Sequence, residues 1–346
     1  MRDENTFRGE PCHDILVKNT TPRLTFNKSV NYDTWKNELR QKFYELTGLY
    51  EIEANASPDA NLKIEHEIEK DGYREIRFTF ESEIGTTVPC YLLIPCTGLS
   101  KYPVAITLQG HSTGFHNSVG YTKFESDHSY QPRGQFGIQA VQNGFAALCI
   151  EQRGMGERRP TEPSRDAHLC QFTAFRALQL GRTVLGERMF DVSRAIDVLS
   201  AFHECDTSKI LITGNSGGGT TSFYSAAYDE RIKLCVPSCA FCSYEASIMD
   251  MFHCSCNYIP CAYQFFEMHD IAALIAPRPL TVIAGKEDSI FPIDGVRSSF
   301  EVAKNIYGMQ GAEAYCRLVE TPREHWWCVD IVWETINSQV KELGWR

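Results

Sequence analysis

The chain has no run of apolar residues long enough for a membrane span, and no apolar segment follows its polar start, Met1-Arg2-Asp3-Glu4-Asn5. A signal peptide and a transmembrane helix are therefore not expected, and the expected location is cytoplasmic. Positive charge is also scarce: 34 Lys and Arg stand against 44 Asp and Glu, for a net charge of −10. Nucleic acid and an anionic membrane are poor partners for such a surface. Internal repeats and low-complexity tracts are missing. The glycine-rich stretch Gly214-Asn215-Ser216-Gly217-Gly218-Gly219 lacks a following Gly-Lys-Ser/Thr, which argues against a Walker-type phosphate loop.

Cysteine is abundant, with fourteen residues, but a chain of 346 residues without an export signal points to reduced, mostly buried thiols. Cys235, Cys239, Cys242, Cys254, Cys256 and Cys261 fall close together with His253 and His269. Their spacing gives one Cys-x-x-Cys pair, Cys239-Ala240-Phe241-Cys242, and no second knuckle. Small buried cysteines are the expectation, with no metal and no cofactor.

Periodicity divides the chain. Residues 1 to about 30 read as an irregular arm. Trp35, Leu39, Phe43 and Leu46 then recur at helical spacing, with Gly48 placed as a C-cap. From 61 to 95 the period changes to two: Ile64, His66 and Ile68, then Ile76, Phe78 and Phe80 around an Asp71-Gly72 turn, then Val88, Cys90, Leu92 and Ile94. Beyond this, apolar runs at 104–108, 145–150, 209–212, 232–236, 280–284 and 315–319 alternate with helical stretches. One of these, Phe172 to Phe202, is long enough to be broken at Gly181 or Gly186, and Trp326 to Leu343 closes the chain as a helix. The alternation predicts an α/β fold with a mostly parallel central sheet, helices on both faces and an antiparallel N-terminal edge. We expect an N-terminal extension over 1–84 and a core over 85–346, with a small insertion at about 237–270.

The stretch around Ser216 is the chemical centre. A buried strand, a tight turn and a small-residue helix form the setting in which a Gly-x-Ser-x-Gly serine is forced outward as a nucleophile. Gly217 then offers a backbone N–H at a helix start, where an oxyanion is stabilised. A serine hydroxyl needs a base, and the base needs an orienting carboxylate. Asp288 and His325 follow the last two predicted strands, at the ends where open α/β sheets place their sites. Glu287 and Asp294 compete for the acid role, and His253, His269 and His203 are weaker candidates for the base. The loop after the 104–108 strand is the expected source of a second oxyanion donor, the backbone N–H of His111. Trp326, Tyr258 and Phe115, with Trp327, are candidates for the pocket wall. In Glu151-x-Arg153-Gly154-x-Gly156 the arginine is read as bracing loops rather than binding substrate.

These residues resemble the α/β-hydrolase superfamily, particularly its acetyl xylan esterase and dienelactone hydrolase-like branches. The carriers are Gln109-Gly110-His111, Arg153-Gly154-Met155-Gly156, Gly214-Asn215-Ser216-Gly217-Gly218, Ala276-Pro277-Arg278-Pro279-Leu280, Asp288 and His325. The resemblance runs from about residue 85 to the C-terminus. It departs where Gly217 replaces a Gln after the serine, and where Trp326 replaces a Glu after the histidine. It implies a serine esterase that removes small acyl groups from a carbohydrate or similar polar ester through an acyl-enzyme. A peptidase or thioesterase of the same fold, and a non-catalytic binding protein, stay open as alternatives, as does a homo-oligomer.

Overall fold

The structure, a computed structural model, describes residues 11–160 and 169–346. Among these residues nine strands form one sheet: β1 (Lys63–Lys70), β2 (Tyr73–Glu83), β3 (Thr86–Pro95), β4 (Tyr102–Leu108), β5 (Ala146–Ile150), β6 (Cys205–Asn215), β7 (Ile232–Ser238), β8 (Leu280–Gly285) and β9 (Cys316–Thr321). Their order is β1-β2-β3-β5-β4-β6-β7-β8-β9. The first three pair antiparallel and β3 meets β5 antiparallel; from β5 to β9 every pairing is parallel. The sheet thus has the expected antiparallel edge and parallel core. Strands on both sides of residue 85 belong to it, because β2 and β3 pair along their full lengths.

Among the described residues ten α-helices accompany the sheet: α1 (Pro11–Asn19), α2 (Tyr32–Thr47), α3 (Leu49–Ala54), α4 (Phe136–Gln142), α5 (Leu169–Gln179), α6 (Val184–Val198), α7 (Gly217–Tyr228), α8 (Met268–Ile275), α9 (Ile293–Gly308) and α10 (Val329–Glu342). Both faces of the sheet are covered, and the central strands show it residue by residue. Val104, Ile106 and Leu108 enter one core with Leu39 and Phe43 of α2, Met189 of α6 and Phe223 of α7. Ala105, Ala147 and Leu211 point the other way, toward Phe136 and Ala140 of α4 and Val332 and Trp333 of α10. Side chains alternate across a strand, so a strand buried on both faces reads as an unbroken apolar run.

Two expectations, the arm and the last helix, need correction, and two others are sharpened. The arm contains α1, which carries no apolar stripe to announce it: Ile15 and Leu16 are both exposed. The first ten residues of that arm lie outside the described residues. In β1 the alternation marks a strand but not a buried face, since Ile64 and Ile68 are exposed on the sheet edge. The long helical region divides once, near Gly181 (φ 72°), while Gly186 sits inside α6 with its N–H capped by the Thr183 hydroxyl at 2.9 Å. The last helix begins at Val329, leaving Trp326 and Trp327 in the loop that also carries His325. No helix among the described residues is long and apolar enough to cross a membrane.

Candidate active site

Strand β6 runs into α7 through Asn215-Ser216, and three glycines make the junction tight enough. A Cβ on Gly214 or Gly218 would collide with the carbonyl of Leu108 at the end of β4. A Cβ on Gly110 would come within 2.8 Å of the Asn215 carbonyl oxygen and 3.2 Å of the Ser216 Cβ. The loop after β4 therefore passes directly beside the serine. Ser216 itself has φ 55° and ψ −126°, a region that L-residues rarely occupy. Its N–H donates to the Ser238 carbonyl of β7 at 2.9 Å. The side chain is half-buried and faces a cavity of about 190 Å³.

The acid and the histidine meet because two further loops knit together. Beyond β8 and β9, Lys286 N–H donates to the Thr321 carbonyl at 3.0 Å and Glu287 N–H to the Arg323 carbonyl at 3.1 Å. Gly285 has no side chain to obstruct the Glu324 carbonyl. Asp288 and His325 are thereby brought side by side, with Asp288 Oδ2 2.9 Å from His325 Nδ1. The other carboxylate oxygen, Oδ1, accepts from the N–H groups of Ile290 (2.8 Å) and Phe291 (3.0 Å). Burial pushes the Asp288 carboxyl upward, but the bond and charge of His325 and these two N–H donors hold it below its ordinary value. An ionised Asp288 fixes the Nδ1–H tautomer of His325 and leaves Nε2 as an acceptor. Nε2 is buried and makes no hydrogen bond among the described residues. The Phe291 ring stacks on the imidazole at 5.9 Å.

Ser216 and His325 line the same cavity, together with Gly110, His111, Arg133 and Trp327. The competing groups do not line this cavity. Glu287 and Asp294 are exposed, His253 bonds Ser247 at 3.0 Å, His269 contacts Ser299 at 3.5 Å, and His203 projects into solvent. His111 stands next to Gly217: its Cε1 and Nδ1 lie 2.9 and 3.0 Å from the point a Cβ on Gly217 would occupy. The loop that carries it is pinned from several directions. Gln109 donates to Glu151 at 2.8 Å, Gln152 to the Gln109 carbonyl at 2.6 Å, and Arg159 to the Ser112 carbonyl at 2.6 Å.

The wall residues are distributed differently from expectation. Trp327 lines the cavity, and its indole N–H donates to Gln139 at 2.9 Å. Trp326 is half exposed, with the Arg133 guanidinium 3.5 Å from its ring centroid. Phe115 is fully buried in the second core against Tyr91, so it does not wall the cavity. Tyr258 lines a separate groove with Leu16 and Ile259. Aromatic character and position along the chain do not report the direction of a side chain. Tyr130 and Arg133 do line the cavity, yet they come from a polar loop without periodicity and carried no sequence signal. Cys239, close in sequence to other cysteines, sits by the acid, its thiol pushed up to about 12 by burial and by Asp288. It stays protonated and donates toward the Trp326 carbonyl at 3.7 Å.

A family model described as the Abhydrolase family matches residues 10–319. The chain belongs to the Abhydrolase family. Among curated proteins, this Abhydrolase chain is similar to "Putative hydrolase YtaP" of Bacillus subtilis (strain 168), at 26% identity over 260 residues, 74% of the chain and 83% of that relative. Among solved structures it resembles a "putative acetyl xylan esterase" from Bacteroides fragilis NCTC 9343, with a TM-score of 0.73 and 18% identity over 93% of the chain and 84% of that protein. A glucuronoyl esterase from Solibacter usitatus superposes with a TM-score of 0.62 and 16% identity, over 93% of the chain and 97% of that protein. At such identities the structural likeness establishes the α/β-hydrolase fold, and the activity has to be argued from the site.

Proposed function

We propose that this Abhydrolase chain is a serine carboxylester hydrolase that removes small acyl groups, such as acetate, from a carbohydrate or similar polar ester. The observation that carries this reading is the Asp288–His325 pair, whose free Nε2 belongs to the same cavity wall as Ser216 on its positive-φ turn. In this mechanism Ser216 Oγ attacks the ester carbonyl carbon while His325 Nε2 takes the hydroxyl proton. Asp288 holds the imidazole and stabilises its cationic form. The N–H groups of Gly217 and His111 receive the oxyanion. As the tetrahedral intermediate collapses, His325 returns the proton to the leaving alcohol oxygen and an acyl-Ser216 ester remains. Water, deprotonated by His325, then releases the acid and restores the serine.

The size of the cavity supports a small acyl group: about 190 Å³ is below the roughly 300 Å³ at which sites for drug-sized ligands begin. Tyr130, Arg133 and Asn117 in its lining supply polar contacts for the alcohol portion. The test is acetate release from p-nitrophenyl acetate and from acetylated sugars, by the wild-type chain and by Ser216→Ala, with a fluorophosphonate probe reporting the nucleophile. Rapid release and labelling that both vanish in the variant are expected. Equal rates in the two proteins, or a chain-length profile rising toward long acyl groups, would reject the reading.

A further inference from the structure

Three distant segments bring sulfur and imidazole to one point beside the cavity. His111 comes from the loop after β4, Cys170 from the first turn of α5, and Cys254 and Cys256 from the insertion. The imidazole nitrogen and the three Sγ atoms all lie within 4.8 Å of one another. His111 Nε2 is 3.4 Å from Cys256 Sγ, which in turn is 3.4 Å from Cys254 Sγ. Tetrahedral zinc, with bonds of about 2.3 Å to sulfur and 2.0–2.1 Å to nitrogen, requires ligand–ligand edges of roughly 3.5–3.8 Å. Two of the six edges, at 3.4 Å, are close to those lengths, and none exceeds 4.8 Å.

Cysteines can cluster simply as small apolar side chains. Two neighbours of this cluster do not fit that role. The first is the imidazole nitrogen itself, aimed at a sulfur from the exposed rim. The second is Arg188 of α6, fully buried, with Nη2 3.2 Å from Cys170 Sγ and its guanidinium anchored on the Arg153 carbonyl at 2.6 and 3.1 Å. A permanently charged guanidinium held against a buried sulfur favours negative charge at that point. Three thiolates and a neutral imidazole on a divalent ion carry one net negative charge, which Arg188 balances.

We propose that His111, Cys170, Cys254 and Cys256 bind one Zn²⁺ in a closed, structural site. The donor set, three thiolates and an imidazole in tetrahedral array, selects zinc over the harder divalent ions. This departs from the expectation of no metal, which weighed only spacings within 235–269. Two of the ligands lie outside that window, and the spacing between the other two, Cys-x-Cys, is not a knuckle. The ion joins the β4 loop, α5 and the insertion at the rim of a cavity of about 560 Å³ that shares His111, Ser112 and Tyr130 with the serine cavity. It also fixes the His111 ring against Gly217. That last consequence rests on the proposed esterase mechanism; zinc binding does not.

The test is metal analysis of the full chain, expressed with added zinc and purified without chelator. About one zinc per chain is expected, retained in Cys261→Ser, which alters an exposed cysteine outside the cluster. Cys254→Ser and Cys256→Ser should each retain less than about a tenth of it, and cobalt replacement should give thiolate charge-transfer and tetrahedral d–d bands. His111→Ala, altered at the exposed rim, keeps the test valid if the cysteine variants do not fold. It should lose zinc to a chelator at least roughly tenfold faster than wild type, since even changes behind a ligand cost that much. A metal-free chain with free thiols, a chain lighter by two hydrogens with Cys254 cross-linked to Cys256 or Cys170, or unchanged release from His111→Ala would each overturn the proposal. Fluorophosphonate labelling of Ser216, read on the same samples, reports the esterase reading separately.

Discussion

Two polar regions sit at the ends of β5 and β6, the strands that flank β4, and are built in opposite ways. After β5, Arg153 donates to Asp191 at 2.8 and 2.9 Å and to Glu83 at 2.6 Å, while Asp191 also accepts from Ser82 and Arg158 at 2.6 Å each. This buried acid and this buried base are each bonded several times over. After β6, Ser216 is held at a positive φ and the nearby His325 has a buried nitrogen without a partner. Low dielectric raises the stakes for both regions. Where the partners are complete the result is a rigid brace; where one is missing the result is a site that a substrate hydroxyl or serine proton can complete. The difference separates charged residues that hold the loops from those assigned to chemistry.

The largest effect should come from the incomplete region. Ser216→Ala is expected to lower kcat for p-nitrophenyl acetate by at least about 10³-fold, as loss of a triad nucleophile does, with the melting temperature little changed. Steady-state kinetics beside thermal denaturation would check this. An inactive variant that has also lost its fold would erase the contrast.

The complete region should respond in stability instead. Arg153→Met leaves Asp191 and Glu83 buried with one fewer cation, and breaking a buried pair in this way costs about 3–5 kcal/mol. Urea unfolding measures it. A loss below about 1 kcal/mol would mean that Arg158 and Arg182, which also reach these acids, suffice alone.

Protonation offers a finer cut. Burial alone would raise the Asp191 carboxyl, but the charges of Arg153 and Arg158, helped by hydrogen bonds from Arg153 and Ser82, hold it well below the usual carboxylate range. In the unfolded chain an Asp titrates near pH ~3.9. Below that value the unfolded state binds the proton first. The contribution of Asp191 is therefore complete above about pH 4 and is lost as the pH falls further. Melting temperature recorded from about pH 5 down to 2.5 should fall less steeply for Asp191→Asn than for wild type. Parallel curves would remove Asp191 from the brace.

Legibility followed the same division. The turn at Ser216 could be read because only glycine tolerates the contacts at 214 and 218, and Asp288 and His325 because both follow strands at the same sheet end. The alternating sheet was legible because strands covered on both faces must be continuously apolar. What could not be read depended on direction or on distant chain segments. Phe115 turns into the core and Tyr258 toward α1, although both are aromatic residues near functional loops. The partners of Arg153 come from β2 and α6, not from Glu151 two residues away. Glu151 instead accepts from Gln109 and from the N–H groups of Phe115 and Glu157. The His111, Cys170, Cys254 and Cys256 cluster draws on a loop, a helix and the insertion, and no local spacing announces it.

The smallest expected effect tests whether the serine turn stores strain. A non-glycine residue at φ 55° and ψ −126° carries a backbone cost of order 1–3 kcal/mol. Alanine keeps that cost and removes the hydroxyl. Glycine removes both, but it adds freedom to the unfolded chain worth roughly 0.5–1 kcal/mol. Ser216→Gly should therefore be more stable than Ser216→Ala by about 1 kcal/mol, with both inactive. The gap can be read from paired urea titrations, in which the common loss of the hydroxyl cancels. If the alanine variant proves equal or more stable, the turn is relaxed. The contrast between the two regions would then rest on the unpartnered His325 nitrogen and not on the backbone.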